Sequence, residues 1–175
     1  MGKKEFDDFL RKEKEKKKPT IDWSAEKEWW LKQLDKLYMD IQKWLKEYTD
    51  KQEIFVEFSN IEIYEEALGT YTARQMIIKI SDKIATLIPI GTILIGTKGR
   101  IDMKGNTGTI RFILADRNAT GPKIVVKEYL LEEENKNPKP QIDWVWKITT
   151  NPPRIKYSDL NRDTFLQSLM QVCND

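Results

Sequence analysis

One stretch of the sequence, Asp22 to Tyr48, constrains the fold more than any other. Its large apolar side chains recur every three or four residues and, placed about 100° apart, fall in one stripe about 140° wide. The members of this stripe are Trp23, Trp30, Leu31, Leu34, Leu37, Tyr38, Ile41, Trp44, Leu45 and Tyr48. A stripe this wide is typical of a helix that lies on a core, whereas a coiled-coil seam is narrower and has no room for repeated tryptophans. The pattern therefore predicts a long, Trp-rich amphipathic helix packed on a β-sheet.

From Ile54 the apolar period changes to two, which indicates β-strands. The extended runs, bounded by Gly, Pro, Asn and Asp, predict about seven or eight strands. These runs are Ile54–Phe58, Ile61–Tyr64, Tyr71–Ile80, Ile84–Ile88, Thr92–Thr97, Gly108–Ala115, Ile124–Tyr129 and Ile142–Thr149. Their connections are too short for crossover helices, so we expect a mainly antiparallel sheet, either open or closed into a barrel. The stretches Ile84–Ile95 and Ile110–Leu114 are apolar on both faces, which marks them as central strands.

The end of the sequence predicts a second helix, at Asn161–Val172, that closes the core. Its predicted buried side chains are Phe165, Leu166, Leu169 and Val172. A long N-terminal helix, then strands, then a C-terminal helix is the order of an α+β fold. We expect a charged leader helix or tail in residues 1–20 and a single α+β domain in residues 21–175, a length sufficient for one core.

The leader carries an apolar cluster of its own. Residues 3–17 are helix formers of alternating charge, and Phe6, Phe9 and Leu10 are spaced i, i+3 and i+4 on one face. So short a helix is marginal in water unless its apolar side chains are buried. Two interpretations stay open: a solvated, partly disordered leader, or an element that docks on the body of the protein or on a partner.

Trp29 lies off the stripe of the main helix, about 100° from Trp30. A large ring that faces water alone is unfavourable, so we expect another group to cover it. The candidates are Phe6 and Phe9 of the leader and a partner protein. Phe6, Phe9, Leu10 and Trp29 are therefore the predicted partner-binding residues.

The residue inventory excludes several chemistries. The sequence has no histidine, which rules out Ser-His and Cys-His nucleophiles, His-ligated zinc or haem, and imidazole proton shuttles. The single cysteine, Cys173, cannot form an intrachain disulfide or an iron–sulfur site, and it suits the reducing cytoplasm. We therefore expect a cytoplasmic protein without a cofactor or a bound metal.

One constellation points to catalysis. Asp102 and Lys104 have the acid-x-Lys spacing that places both side chains on one face of a strand, with Asp82 as an upstream carboxylate. Such a set could hold magnesium and activate water for phosphodiester cleavage. At these three positions the sequence resembles the restriction-endonuclease-like nucleases. It departs from their pattern because no proline precedes Asp82 and because a turn, Gly105-Asn106, follows Lys104 directly.

Charge does not favour nucleic acid or membranes as partners. The net charge is +2; residues 1–20 hold eight basic and five acidic residues, net +3, which leaves −1 for the rest. A basic aromatic surface could still form from Arg74, Arg100, Lys104 and Arg111 near Tyr71. No apolar run is long enough to span a membrane.

These observations favour a non-catalytic cytosolic module for protein–protein interaction or regulation, such as an accessory subunit or a protein that neutralises its partner. It would bind another protein, or a second copy of itself, through the N-terminal segment. The first alternative is a magnesium-dependent nuclease or phosphodiesterase that uses Asp82, Asp102 and Lys104. The second alternative is a single-stranded nucleic-acid binder.

Overall fold

A computed structural model describes residues 2–16, 22–92, 97–122 and 141–174, which form three helices and one antiparallel sheet and so confirm the α+β class. The elements are α1 (Lys3–Lys16), α2 (Trp23–Asp50), β1 (Phe55–Glu65), β2 (Gly69–Ile80), β3 (Lys83–Gly91), β4 (Gly99–Gly105), β5 (Gly108–Asp116), β6 (Trp144–Thr149), β7 (Tyr157–Asp159) and α3 (Arg162–Cys173). Within these residues, no helix combines the length and the apolar character that crossing a bilayer requires.

The predicted Trp-rich helix is α2. Its first turn is capped by the Asp22 carboxylate, which accepts a hydrogen bond from the amide of Ala25 at 3.1 Å. Much of the predicted stripe is buried: Trp30, Leu34, Leu37, Tyr38, Ile41 and Leu45. Trp23 is 41% exposed, so the stripe is buried only from Trp30 onward.

The seven strands are paired in chain order, from β1 at one edge of the sheet to β7 at the other. Every described pair of neighbours is antiparallel, which confirms the predicted pairing. Of the two forms that the sequence left open, the sheet is the open one rather than a barrel. β3 and β5, which cover most of the two stretches predicted to be central, lie inside the sheet.

Two strands, β4 and β7, were not predicted. β4 begins and ends with glycine, a composition that favoured turns, and β7 is only three residues long. The runs Ile54–Phe58 and Ile61–Tyr64 belong to one strand, β1, and not to two. The run Ile124–Tyr129 and residues 93–96 of the run Thr92–Thr97 lie outside the described residues.

The hairpin of β1 and β2 changes its core-facing side partway along. Phe58 packs against the core in the first part of β1, and Ile61 and Ile63 do so in the second part. The spacing from Phe58 to Ile61 breaks the period of two. At the change, the side-chain amide of Gln75 donates a hydrogen bond to the Ser59 hydroxyl across the two strands at 2.8 Å.

The C-terminal helix α3 is confirmed, and it begins with a capping box. The Asn161 side chain accepts from the Thr164 amide at 3.0 Å, while the Thr164 hydroxyl accepts from the Asn161 amide at 2.9 Å. Phe165 then packs between Trp44 of α2 and Phe112 of β5, with ring centres 5.6 and 6.2 Å apart. Both helices thus cover the same face of the sheet.

β4 packs closely against both α2 and α3. A Cβ atom at Gly99 would collide with the indole ring of Trp30, and one at Gly105 would collide with the backbone carbonyl of Val172. Glycine at each end of the strand therefore permits the close approach of α2 and α3.

Candidate interaction surfaces

α1 presents an exposed apolar face. Phe6, Phe9 and Leu10 are 58%, 54% and 42% exposed, and the two phenyl rings lie 6.2 Å apart, centre to centre. We call these three side chains the α1 cluster. The leader is thus helical over residues 3–16, while residues 17–20 lie outside the described part of the chain. Docking of the α1 cluster stays a prediction.

Trp29 is covered by a group that the sequence did not suggest. The ammonium nitrogen of Lys98 lies 4.6 Å from the ring centre of Trp29 and 5.4 Å from that of Trp144, the first residue of β6. The Glu26 carboxylate lies 3.7 Å from the same nitrogen. A cation above two indole faces is a favourable arrangement. Contact of Trp29 with a partner is untested and stays a prediction.

A second apolar surface is an open groove of about 500 Å³ between the end of α2, the exposed side of α3 and the turn between β2 and β3. We call it the α3 groove. Its apolar lining consists of Tyr48, Ile54, Ile80, Leu166, Leu169 and Met170. Met170 is 60% exposed, so its side chain is accessible to a molecule in the groove. Sequence reasoning missed this surface, although Met170 beside the buried Leu169 was a signal of a second apolar side on α3.

The lone cysteine lies at the floor of the α3 groove. Cys173 is 6% exposed, and burial raises the pKa of its thiol. A raised thiol pKa lowers the thiolate fraction and hence the reactivity. Cys173 is therefore expected to react more slowly than an exposed thiol.

Asp102 and Lys104 lie on β4, where they alternate with the core-facing Ile101 and Met103. Asp102 is 5% exposed, and both its carboxylate oxygens accept hydrogen bonds from the Arg100 guanidinium at 2.7 Å. This bidentate contact raises the pKa of Arg100. The carboxylate is thus engaged by an internal arginine, while Lys104 is exposed.

Asp82 is not brought to these residues. It lies exposed in the turn before Lys83, whereas Asp102 is paired with Ile88 near the other end of β3. At about 3.3 Å per residue, six residues of strand separate the two aspartates by about 20 Å. One magnesium ion cannot bridge that distance, since its ligands lie at about 2 Å. In the described part of the chain, no three acidic or thiol side chains are grouped as metal ligands.

The basic aromatic surface is also partly engaged by internal contacts. Arg74 pairs with Asp35 at 2.9 Å and lies 4.6 Å from the ring centre of Phe58. Tyr71 is buried and donates a hydrogen bond to the Glu65 carboxylate at 2.5 Å. A buried tyrosine offers no face for a nucleic-acid base to stack on.

The chain was compared with protein-family models, with curated proteins and with solved structures. None of the three comparisons gave a match.

Proposed function

We propose that the chain is a non-catalytic protein–protein interaction module of the cytosol and that α1 is its docking element. The observation that supports this proposal is the exposure of the α1 cluster on one face of a 14-residue helix. Such binding would suit an accessory subunit of an assembly or a protein that neutralises its partner.

Burial of the α1 cluster would supply the free energy of docking. A fully exposed Phe or Leu side chain contributes about 1.5–3 kcal/mol when it is buried. Because these three are only about half exposed, their burial contributes about 2–5 kcal/mol in total. The lost freedom of the two proteins and the ordering of the segment oppose this gain. We therefore expect reversible binding of moderate affinity.

Charge would influence the choice of partner and the rate of encounter. Residues 1–20 carry a net charge of +3. A positively charged segment associates faster with an acidic surface, and added salt screens the attraction. The favoured partner is therefore a protein that offers an apolar groove with acidic groups nearby.

The experiment that tests this proposal compares two double variants of the full chain as bait in affinity capture. Phe6→Ala with Phe9→Ala removes the apolar face. Lys4→Ala with Asp8→Ala changes the opposite face of α1 and keeps the net charge. We expect the first variant to lose proteins that the wild type captures and the second to keep them. Equal capture by both variants would refute α1 as the docking element.

The nuclease alternative is tested separately. Plasmid DNA and RNA are incubated with the wild type and with Asp102→Asn, with and without magnesium. We expect no magnesium-dependent cleavage, because the Arg100 guanidinium already binds both carboxylate oxygens of Asp102 and because Asp82 is distant. Cleavage that requires magnesium and is lost in Asp102→Asn would replace our proposal. Binding of single-stranded oligonucleotides that weakens steeply with salt would instead support the second alternative.

A further inference from the structure

We propose that the free edge of β1 is a docking site for an extended segment of another protein, one that carries a lysine or an arginine opposite Glu62. The segment would pair with β1 as an additional antiparallel strand of the sheet. This inference goes beyond the proposed function, because it concerns a surface other than α1. It is supported by the length of the edge, by the charge of the strand and by the exposed carboxylate of Glu62.

β1 has backbone hydrogen-bonding groups along one side that no described strand uses. It is the first strand in the order of the sheet, and among the described strands it is paired with β2 alone. Its 11 residues include no proline, so each has both an amide N–H and a carbonyl group. In an antiparallel pair, every second residue directs these groups away from its partner. About five residues of β1 therefore offer a donor and an acceptor to a further strand.

The two edges of the sheet differ in how they are protected. Proteins shorten or bend an edge strand, or place proline or inward-facing charge on it, to prevent pairing with other chains. β7 is only three residues long and follows Pro152 and Pro153 closely. β1 pairs with β2 over its whole length without a register shift, and the side chains that it packs against the core are apolar. A long edge strand of this kind is a template for another strand.

The charge of β1 determines which strands can pair with it. The strand contains three glutamates and no basic residue. Glu57 is ion-paired with Lys79 of β2 at 2.9 Å. Glu65 accepts a hydrogen bond from the Tyr71 hydroxyl. Glu62 is exposed and makes no hydrogen bond or ion pair with the part of the chain that the structure describes, so its carboxylate is available to a cation.

The neighbour of Glu62 on the exposed face defines the rest of the pattern. Tyr64 lies two residues further along this face and is 73% exposed. Side chains that stand opposite each other on adjacent strands lie about 5 Å apart on the same face. A β-branched or aromatic side chain of the incoming strand would therefore cover the Tyr64 ring while a lysine or an arginine reaches Glu62. In an antiparallel strand, the apolar residue precedes the basic one by two positions.

Pairing of β1 with β1 of a second copy is opposed by charge. Because the core-facing side changes between Phe58 and Ile61, a full-length antiparallel pair keeps its faces together only when these two residues stand opposite each other. That register places Glu57 of each copy opposite Glu62 of the other. Like charges in directly opposite positions destabilise a pair of strands. A basic segment of a different protein is therefore the favoured occupant.

Two short synthetic peptides with blocked ends test the site on the full chain. Both alternate threonine and valine, and at one central valine position the first carries lysine and the second carries glutamate. The lysine peptide should shift the backbone amide resonances of β1. It should also protect every second amide of β1 from hydrogen exchange, because these are the amides that the free edge exposes to solvent.

Exchange of charge between the two partners tests the role of Glu62. Glu62→Lys should weaken binding of the lysine peptide about 3–10-fold and should strengthen binding of the glutamate peptide by a similar factor. Glu66→Lys, in the turn beyond β1, makes the same change in net charge and should alter each affinity by no more than about twofold. Both positions are exposed, so both variants should fold. Equal effects of the two substitutions would overturn the assignment of Glu62.

The remaining outcomes separate the β1 edge from α1 and from self-association. Phe6→Ala with Phe9→Ala should bind the lysine peptide like the wild type, whatever its effect on affinity capture. If neither peptide protects amides of β1, the edge is not a docking site and the inference is overturned. If those amides become protected when the concentration of the chain alone is raised, β1 pairs with a second copy, which would also overturn it.

Discussion

The ammonium group of Lys98 lies 4.6 Å from the ring centre of Trp29, and this contact joins α2 to the start of β4. The same nitrogen lies 5.4 Å from the ring centre of Trp144 on β6. A single lysine thus links an off-stripe tryptophan of the helix to a tryptophan of the sheet.

Lys98→Gln should weaken the fold by about 0.5–1 kcal/mol, because it removes the cation between two indole faces. It should also alter the tryptophan emission of the folded protein. Urea denaturation followed by fluorescence measures both effects. Lys43→Gln, at an exposed position of α2, is the control and should change neither. If the two variants behave alike, the cation contributes nothing.

Truncation of side chains in the buried stripe of α2 should lower the free energy of unfolding far more than Lys98→Gln does. Leu37→Ala and Ile41→Ala should each lower the free energy of unfolding by about 2–5 kcal/mol, since both side chains are fully buried. Lys36→Ala should stay within about 0.5 kcal/mol of the wild type. Chemical denaturation provides the comparison, and similar effects at all three positions would contradict the assigned buried face.

The stability of the fold should change little near neutral pH and should fall in alkali. Burial raises the pKa of Tyr38, and burial together with the hydrogen bond to Glu65 raises that of Tyr71. A raised pKa in the folded state stabilises the fold fully below the unfolded value of about 10, and this contribution is lost as the pH rises through the folded-state values. Without histidine, little change is expected between about pH 6 and 8.

Denaturation at a series of pH values, combined with tyrosinate absorbance, tests this dependence. Tyr38→Phe removes one side chain whose pKa is raised, so the loss of stability in alkali should be smaller in the variant than in the wild type. It also removes the hydrogen bond from the Tyr38 hydroxyl to the Arg74 carbonyl, 2.6 Å long, which should cost about 1 kcal/mol at neutral pH. An unchanged alkaline slope would show that Tyr38 is not responsible.

Deletion of residues 1–18 should leave the domain folded. The α1 cluster is exposed in the single chain, so its removal should shift the melting temperature by no more than about 4 °C, equivalent to about 1 kcal/mol. Calorimetry at a concentration where the wild type is monomeric provides the measurement. A truncated chain that unfolds or precipitates would show that the leader belongs to the core.

The helices could be predicted from the sequence because their burial is periodic and local. The spacing in α2 and the capping residues Asn161 and Thr164 of α3 are each visible within a few turns. The contact of Lys98 with Trp29 and the α3 groove were not predictable in this way. Both depend on segments that are distant in sequence and that only the assembled sheet brings together.

The strands were harder to predict because tertiary contacts override the local pattern. In the sequence, the two ends of β4 resemble glycine-containing turns, with only Ile101, Asp102 and Met103 between them. Its glycines are explained only by Trp30 and Val172 in the folded protein. β1 reads as two strands because its core-facing side changes between Phe58 and Ile61. Among the candidate surfaces, the sequence predicted the apolar spacing of the α1 cluster but not the α3 groove.

The two glycines that bracket β4 also have a consequence for sequence divergence. Their neighbours within the strand can vary as long as the alternation is kept, but Gly99 and Gly105 have no room for any side chain. Proteins descended from a common ancestor with this chain should therefore retain a pair of glycines six positions apart, downstream of a tryptophan-rich helix, after most other positions have changed. This geometric signature, and not a catalytic motif, is what a search for distant relatives should use.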